Sequence, residues 1–359
     1  MEPTVTRHHT GLESSGGATR VARLLVDGLA AAGHDAALSF ELAESGGAPT
    51  APAAFGPALP AGAIPHLHCS GDWPALLGSL PEARRTVVTL HDCELFTGGC
   101  PYPLDCRALQ GGCETCPRRF PDAEARRKLK YRLLHRLEPA LVSPSRWLAR
   151  LAKSHLHLPV TVIPNAVPWP AQPPRRDEAR QQLGINPAAR VALFVAHGGE
   201  QAEYKAGSQW RALWQRIRQQ VPGSLAFIVG GQTAAREDGL IVWPFVERER
   251  LALLMAAADL LLYPTRADNH SLTILEAMAR GLAVAAFATG GVPEQIADEE
   301  TGLLVEPGDL NAFVQRSARL LASPGRCRDL GRNGFSFGAK RFAVERMVAD
   351  YVRLYATFK

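Results

Sequence analysis

The sequence predicts an α/β protein built as two doubly wound units, each a parallel sheet with helices on both faces. Three observations point there. Short apolar strand-like runs alternate with helical patterns along the chain. A proline-rich stretch, "PWPAQPPRR" at 168–176, falls near the middle and reads as an extended linker. The 359 residues are enough for two cores at roughly 100–200 residues each.

In chain order, "MEPTVTRHHTGLESSGG" lacks a basic flank leading into an apolar core, so no signal peptide is expected. The strand within it, "TVTRHH", is poorly apolar. A helix follows the glycine pair Gly16 and Gly17, with Val21, Leu24, Leu25 and Leu29 at helical spacing and Gly33 as its stop. A strand from Asp35 to Phe40 comes next, then an Ala/Pro/Gly-rich loop over 43–63. "IPHLHCS", "RTVVTLHD", "PALVSPS" and "VTVIPNAV" read as short strands, the second ending at His91. Beyond the linker come "RVALFVAHGG", helix "SQWRALWQRIRQQ", "LAFIVGG", "IVWPFV", helix "RERLALLMAAA" and "DLLLYPT". The final helix, about 342–358, is amphipathic. The expected division is 1–168, 169–340 and a terminal helix in 341–359.

Composition is ordinary: 46% hydrophobic, 21% charged, net charge +5. No run of about 18 apolar residues exists, so no membrane span is expected. The cytosol is the default compartment. The modest positive charge permits contact with phosphates or anionic lipid and does not point to nucleic acid.

The most informative stretch is "RADNHSLTILEAMARGLAVAAF", 266–287. It follows a strand, and a helix over about 271–280 ends at Gly281 before the next strand. A helix starting at the C-terminal end of a parallel strand lies where ligands bind in such sheets, and its free N–H groups favour phosphate. Asn269, His270 and Ser271 are small or polar enough to let a phosphate approach. Thr273, Glu276 and Arg280 share the one polar stripe of an otherwise apolar helix. A carboxylate at Glu276 needs donors, and a ribose diol supplies two. An i,i+4 pair with Arg280 explains it equally well. Asp268 stands just before the helix, where it can accept from sugar hydroxyls.

These residues resemble the donor-binding motif of the retaining family 4 glycosyltransferases: an acid (Asp268), seven residues, Glu276, then "AMARG", followed by "GGVPE" at 290–294 and "TGLLVEPGD" at 301–309. The resemblance covers most of the chain and is densest in its C-terminal half. It implies a GT-B fold, two Rossmann-like domains facing across a cleft, with the terminal helix crossing back to the N-terminal domain. It implies that Glu276 holds the nucleotide ribose, that the backbone of Asn269, His270, Ser271 and Leu272 receives the diphosphate, and that Asp268 meets the donor sugar. Lys205 resembles the family lysine that neutralises the diphosphate; a surface lysine is the lesser alternative. Where the family has an arginine, five residues earlier, this chain has Glu200, which would repel the diphosphate. The resemblance also assigns Gly16 and Gly17 to close backbone approach, beyond a simple turn or cap, and gives His91 a place near the donor sugar. Phe245 and Val246 would lie beside the nucleobase.

Cys100, Cys106, Cys113 and Cys116 are clustered, with one C-x-x-C pair. Structural zinc, disulfides and free thiols all remain open for them. The surrounding "TGGCPYPLDCRALQGGCETCP" resembles an insertion in a subset of the family. The segment 125–139 holds six Lys or Arg with Leu129, Leu133 and Leu137 on one face. It reads either as a solvated helix docked by its leucines or as a surface for anionic lipid or a phosphate-bearing acceptor.

The resemblance implies a retaining transfer of sugar from a UDP- or GDP-linked donor to a hydroxyl of a saccharide or lipid-linked acceptor. The setting would be cell-surface polysaccharide or glycoconjugate synthesis, in the cytoplasm or peripherally at the inner membrane face, with no catalytic metal. A GT-B nucleotide-sugar epimerase and a non-catalytic nucleotide-sugar-binding protein are the alternatives.

Overall fold

The computed structural model describes residues 4–82, 85–196, 198–231, 233–237 and 239–358. The chain divides into two units. Unit 1 comprises 1–166 with 344–359, and unit 2 is the continuous stretch 167–343.

Unit 1 is built on β1 (Val5–Leu12), β2 (Asp35–Leu42), β3 (Ile64–Leu67), β4 (Val87–Thr89), β5 (Ala140–Ser143) and β6 (Val160–Val162). They form one parallel sheet in the order β2-β1-β3-β4-β5-β6. β1 lies inside the sheet, yet its buried positions are Thr6, His8, His9 and Thr10. Its polar groups are satisfied by one another and by neighbouring strands, as buried polar atoms must be. The helix Gly17–Ala31 buries Val21, Ala22, Leu25 and Leu29.

The helix Val344–Ala356 belongs to this unit. It buries Met347, Val348, Tyr351 and Tyr355. A Cβ on Gly28 would lie 2.5 Å from Val348 Cγ2, so the glycine permits the close helix packing. Tyr351 and Tyr355 anchor it by hydroxyl contacts to Thr89 Oγ1 (2.8 Å) and His66 Nδ1 (2.7 Å).

The basic segment forms the helix Ala123–Leu137. Its inward face is Ala123, Lys130, Leu134 and Leu137, and Leu129 is exposed. The expected leucine face is therefore rotated: Lys130 turns inward because its ammonium donates to the Glu94 carbonyl at 2.5 Å.

Unit 2 carries β7 (Val191–Val195), β8 (Leu225–Gly231), β9 (Ala235–Glu237), β10 (Leu240–Pro244), β11 (Leu260–Tyr263), β12 (Ala283–Phe287) and β13 (Leu303–Val305). The order is β13-β12-β11-β7-β8-β10-β9, parallel throughout except β9, which pairs antiparallel with β10. The central strands are buried on both faces, so they read as continuous apolar runs. The proline-rich stretch is docked on this unit, not free: Trp169 fills the space above Gly338 and meets the Phe335 ring, and Pro173 lies against Gly281. The Val167 N–H donates to the Phe342 carbonyl (3.0 Å), so the unit's two ends are paired. Among the described residues no helix is long and apolar enough to cross a membrane.

Candidate functional site

β7 and β11 are adjacent parallel strands, so the segments leaving their C-terminal ends emerge side by side. After β7 the chain makes three short 3₁₀ turns carrying Lys205; after β11 it passes Asp268 into the helix Leu272–Met278. The Tyr204 carbonyl joins the two segments, accepting from Arg266 N (2.7 Å), Ala267 N (3.3 Å) and Thr265 Oγ1 (3.0 Å). His197, at the start of the first segment, lies outside the described residues.

This junction brings Lys205 and Asp268 together across 63 residues, Nζ to Oδ2 at 2.5 Å. Tyr263, from the end of β11, donates its hydroxyl to the same oxygen at 2.6 Å and accepts from Ser271 Oγ at 2.9 Å. Burial opposes the Lys205 charge, but the Asp268 carboxylate outweighs it and holds the amine above its usual range. Burial, reinforced by Asp268, pushes Tyr263 upward, so it stays a protonated donor. Tyr263 is not distinguishable by sequence, because in a buried strand it reads as one more core side chain.

The helix start is more tightly held than its polar loop suggested. Ser271 caps the helix, its Oγ accepting from Ile274 N at 3.3 Å. Its backbone is clamped by the buried Gln295: Ser271 N donates to Oε1 and Gln295 Nε2 donates to the Ser271 carbonyl, both at 2.9 Å. The first-turn amides of Leu272 and Thr273 remain those that the helix cannot pair internally. Asn269 and His270 are buried. Gly290 and Gly291 pack on the Asp268 backbone: Gly291 N donates to the Asp268 carbonyl (3.0 Å), and a Cβ on Gly290, at φ +59°, would stand 2.0 Å from that oxygen. Gln295 directly follows "GGVPE" and went unnoticed in sequence because its partners are backbone atoms 24 residues away.

Glu276 is half-buried, between the fully buried pairs Ile274–Leu275 and Ala277–Met278. Glu200 is held by Arg211, whose Nε and Nη2 reach its two oxygens at 2.5 and 3.0 Å. The expected repulsion from Glu200 is thereby offset by an arginine of the helix Trp210–Gln220. After β10, Phe245 is exposed (71%) and Val246 is half-buried.

In unit 1, Gly16 caps the helix Gly17–Ala31 at φ +85°, a conformation that favours glycine. His91 follows β4, half-buried, with Nε2 at 3.1 Å from His68 Nδ1; burial pushes its pKa down to about 4. A hollow beside it is lined by His68, Cys69, Trp73, Asp92 and Glu94 among others. Burial pushes Asp92 up to about 6 and, with the Asp92 charge, Glu94 up to about 7.

Cys100, Cys106, Cys113 and Cys116 line one hollow. Among the described residues no three of their sulfurs lie within 4.8 Å of one another. Tetrahedral zinc at 2.3 Å from each sulfur needs separations of roughly 3.8 Å.

Comparison with known proteins finds similarity to named glycosyltransferases. It is 31% identical over 189 residues to a D-inositol 3-phosphate glycosyltransferase of Segniliparus rotundus, covering 48% of this chain and 41% of that relative. The matches span less than half the length of the first such curated relatives, 41% and 43%. Among solved structures, a sucrose-phosphate synthase from Thermosynechococcus elongatus superposes with a TM-score of 0.75 at 19% identity, covering 99% of both chains. Anabaena HepE in complex with UDP-glucose gives 0.70 at 16% identity, covering 98% of this chain and 99% of that one. The fold is GT-B. Residues 175–337, which hold Lys205, Phe245, Asp268, Glu276 and Gln295, match the family model of the group 1 glycosyl transferases.

Proposed function

We propose that this chain is a glycosyltransferase that uses a nucleoside-diphosphate sugar and retains anomeric configuration. The observation that carries it is the Lys205–Asp268–Tyr263–Ser271 cluster at the C-terminal edge of the second sheet, inside the segment matching group 1 glycosyl transferases. In this reading the Leu272 and Thr273 amides receive the diphosphate, and Glu276 accepts from the ribose hydroxyls. Lys205 stabilises the charge that grows on the leaving group. Asp268 uses Oδ2 for Lys205 and Tyr263; among the described residues Oδ1 has no partner and is left to accept from a sugar hydroxyl. The bond from the sugar's anomeric carbon to phosphate breaks and one to the acceptor oxygen forms. The acceptor's proton passes to an oxygen of the departing diphosphate, so the step needs no metal.

HepE binds UDP-glucose, which makes a UDP-sugar the first donor to try, with GDP-sugars second. Acceptors to try are saccharides, inositol phosphates and lipid-linked sugars. A role in surface polysaccharide or glycoconjugate synthesis, on the cytoplasmic side, belongs to the same proposal. The Glu200–Arg211 pair offsets the charge of Glu200, the residue that favours a non-catalytic binding protein.

The test is release of nucleoside diphosphate with and without acceptor. Acceptor-dependent release supports transfer. Interconversion of the donor without acceptor would instead indicate an epimerase. Glu276→Ala is expected to weaken donor affinity at least tenfold; unchanged affinity and turnover would remove the basis for the donor site.

A further inference from the structure

Unit 1 buries a group of imidazoles that the donor cluster does not use. β1 and β3 run parallel with His8 opposite His66, so alternation puts His8, His66 and His68 on one face of the sheet. Their ring nitrogens lie within 4.8 Å of one another, a spacing that suggests a metal. The hydrogen bonds argue otherwise. Both nitrogens of His66 are taken, by the Tyr355 hydroxyl and Thr89 Oγ1, each at 2.7 Å. His8 Nδ1 and His68 Nε2 face each other at 3.0 Å, closer than the roughly 3.3 Å between two nitrogens on one tetrahedral zinc.

What remains is a continuous chain. Thr6 Oγ1 meets His8 Nε2 at 3.1 Å, His8 Nδ1 meets His68 Nε2 at 3.0 Å, and His68 Nδ1 meets His91 Nε2 at 3.1 Å. Burial holds all three imidazoles neutral at neutral pH. A neutral imidazole has one N–H and one bare nitrogen. Each link holds one proton, so the rings must all donate in the same direction. Thr6 sets that direction. Its side chain is fully buried, and among the described residues its hydroxyl has His8 Nε2 as its sole partner. If His8 donated, the hydroxyl proton would be left buried without an acceptor. If Thr6 donates, each of the three links holds one proton and the buried hydroxyl has its acceptor.

We infer that Thr6, His8 and His68 are positioning residues that fix His91 as its Nδ1–H tautomer, with Nε2 occupied as an acceptor. In that tautomer the outer nitrogen of His91, Nδ1, is a hydrogen-bond donor and not a base. Such a donor suits an oxygen of a sugar hydroxyl or of a phosphate. That His91 meets a donor-substrate oxygen rests on the transferase reading; its tautomer does not.

The experiment is long-range proton–nitrogen correlation on the full chain with ¹⁵N-labelled histidine near pH 7.5, with His91→Gln used to assign the signals. The expected result is a protonated Nδ1 and a bare Nε2 at His91, retained in Thr6→Ser. In Thr6→Val, which keeps the side-chain shape, the bias is lost and both tautomers are populated. A native His91 protonated at Nε2 overturns the inference, and so does a Thr6→Val spectrum unchanged from the native one. With an active donor in hand, Thr6→Val and His68→Gln are expected to lower kcat five- to tenfold with donor KM within twofold, and Thr6→Ser to restore it. Unchanged kcat alongside mixed tautomers overturns the positioning role. If no donor turns over at all, the transferase reading fails while the histidine spectrum still decides this one.

Discussion

Asp268 Oδ2 receives two donors in a region with little water, from Lys205 and Tyr263. The pair fixes the carboxylate and leaves Lys205 charged, the state required next to a diphosphate. Tyr263→Phe keeps the ring in the core and removes one donor. It is expected to cost about 1–2 kcal/mol of stability and to lower kcat/KM several-fold, read by denaturant unfolding and donor turnover. Lys205→Met tests charge against shape: a fall in kcat of about 10²–10³ with little change in folding is expected, in the range seen when a single transition-state donor is removed. A loss of folding without a loss of kcat per folded molecule would assign Lys205 to structure alone.

At the scale of elements, the helix Leu272–Met278 is only seven residues long, and its position depends on the loops around it. Gln295 and the Gly290–Gly291 turn hold its entry. Gln295→Ala removes two hydrogen bonds to the Ser271 backbone and is expected to cost about 2–3 kcal/mol and to weaken nucleotide binding. Gly290→Ala combines a positive φ with a side chain pressed on the Asp268 carbonyl, so a loss of at least about 2 kcal/mol is expected by thermal unfolding. The elements of unit 2 were legible in the sequence because β7, β11 and β12 are apolar runs separated by amphipathic helices and glycine stops. β1 was legible only as a poorly apolar strand, because its interior positions are threonine and histidine, whose burial is satisfied by hydrogen bonds. The Lys205–Asp268 contact was equally invisible: the motif named both residues, but strand order, not spacing, makes them touch. The rotation of the helix Ala123–Leu137 has a related cause. Its inward lysine is stabilised by a carbonyl 36 residues away.

For the whole molecule, the histidine group makes unit 1 acid-sensitive. His8, His66, His68 and His91 have pKa values depressed in the folded state, so the unfolded chain binds more protons below about pH 6.5, and stability falls as pH falls. Asp92 and Glu94 act in the opposite sense: raised to about 6 and about 7, they bind protons in the folded state that the unfolded chain releases. Four against two leaves about two extra protons on the unfolded chain between roughly pH 6 and 4.5, a slope of about 3 kcal/mol per pH unit. Urea unfolding at pH 7, 6 and 5 checks this; equal or greater stability at pH 5 would contradict it.

The helix Val344–Ala356 completes the first unit although it is translated after all of the second. Tyr351 and Tyr355 reach Thr89 and His66 only once that late segment has left the ribosome. The earliest-made sheet is therefore covered by this helix only after the whole of the later one has been made. Termination between residues 166 and 344 would release an N-terminal half in which His66 lacks the Tyr355 hydroxyl and Thr89 that of Tyr351, a natural mark for disposal by quality-control proteases.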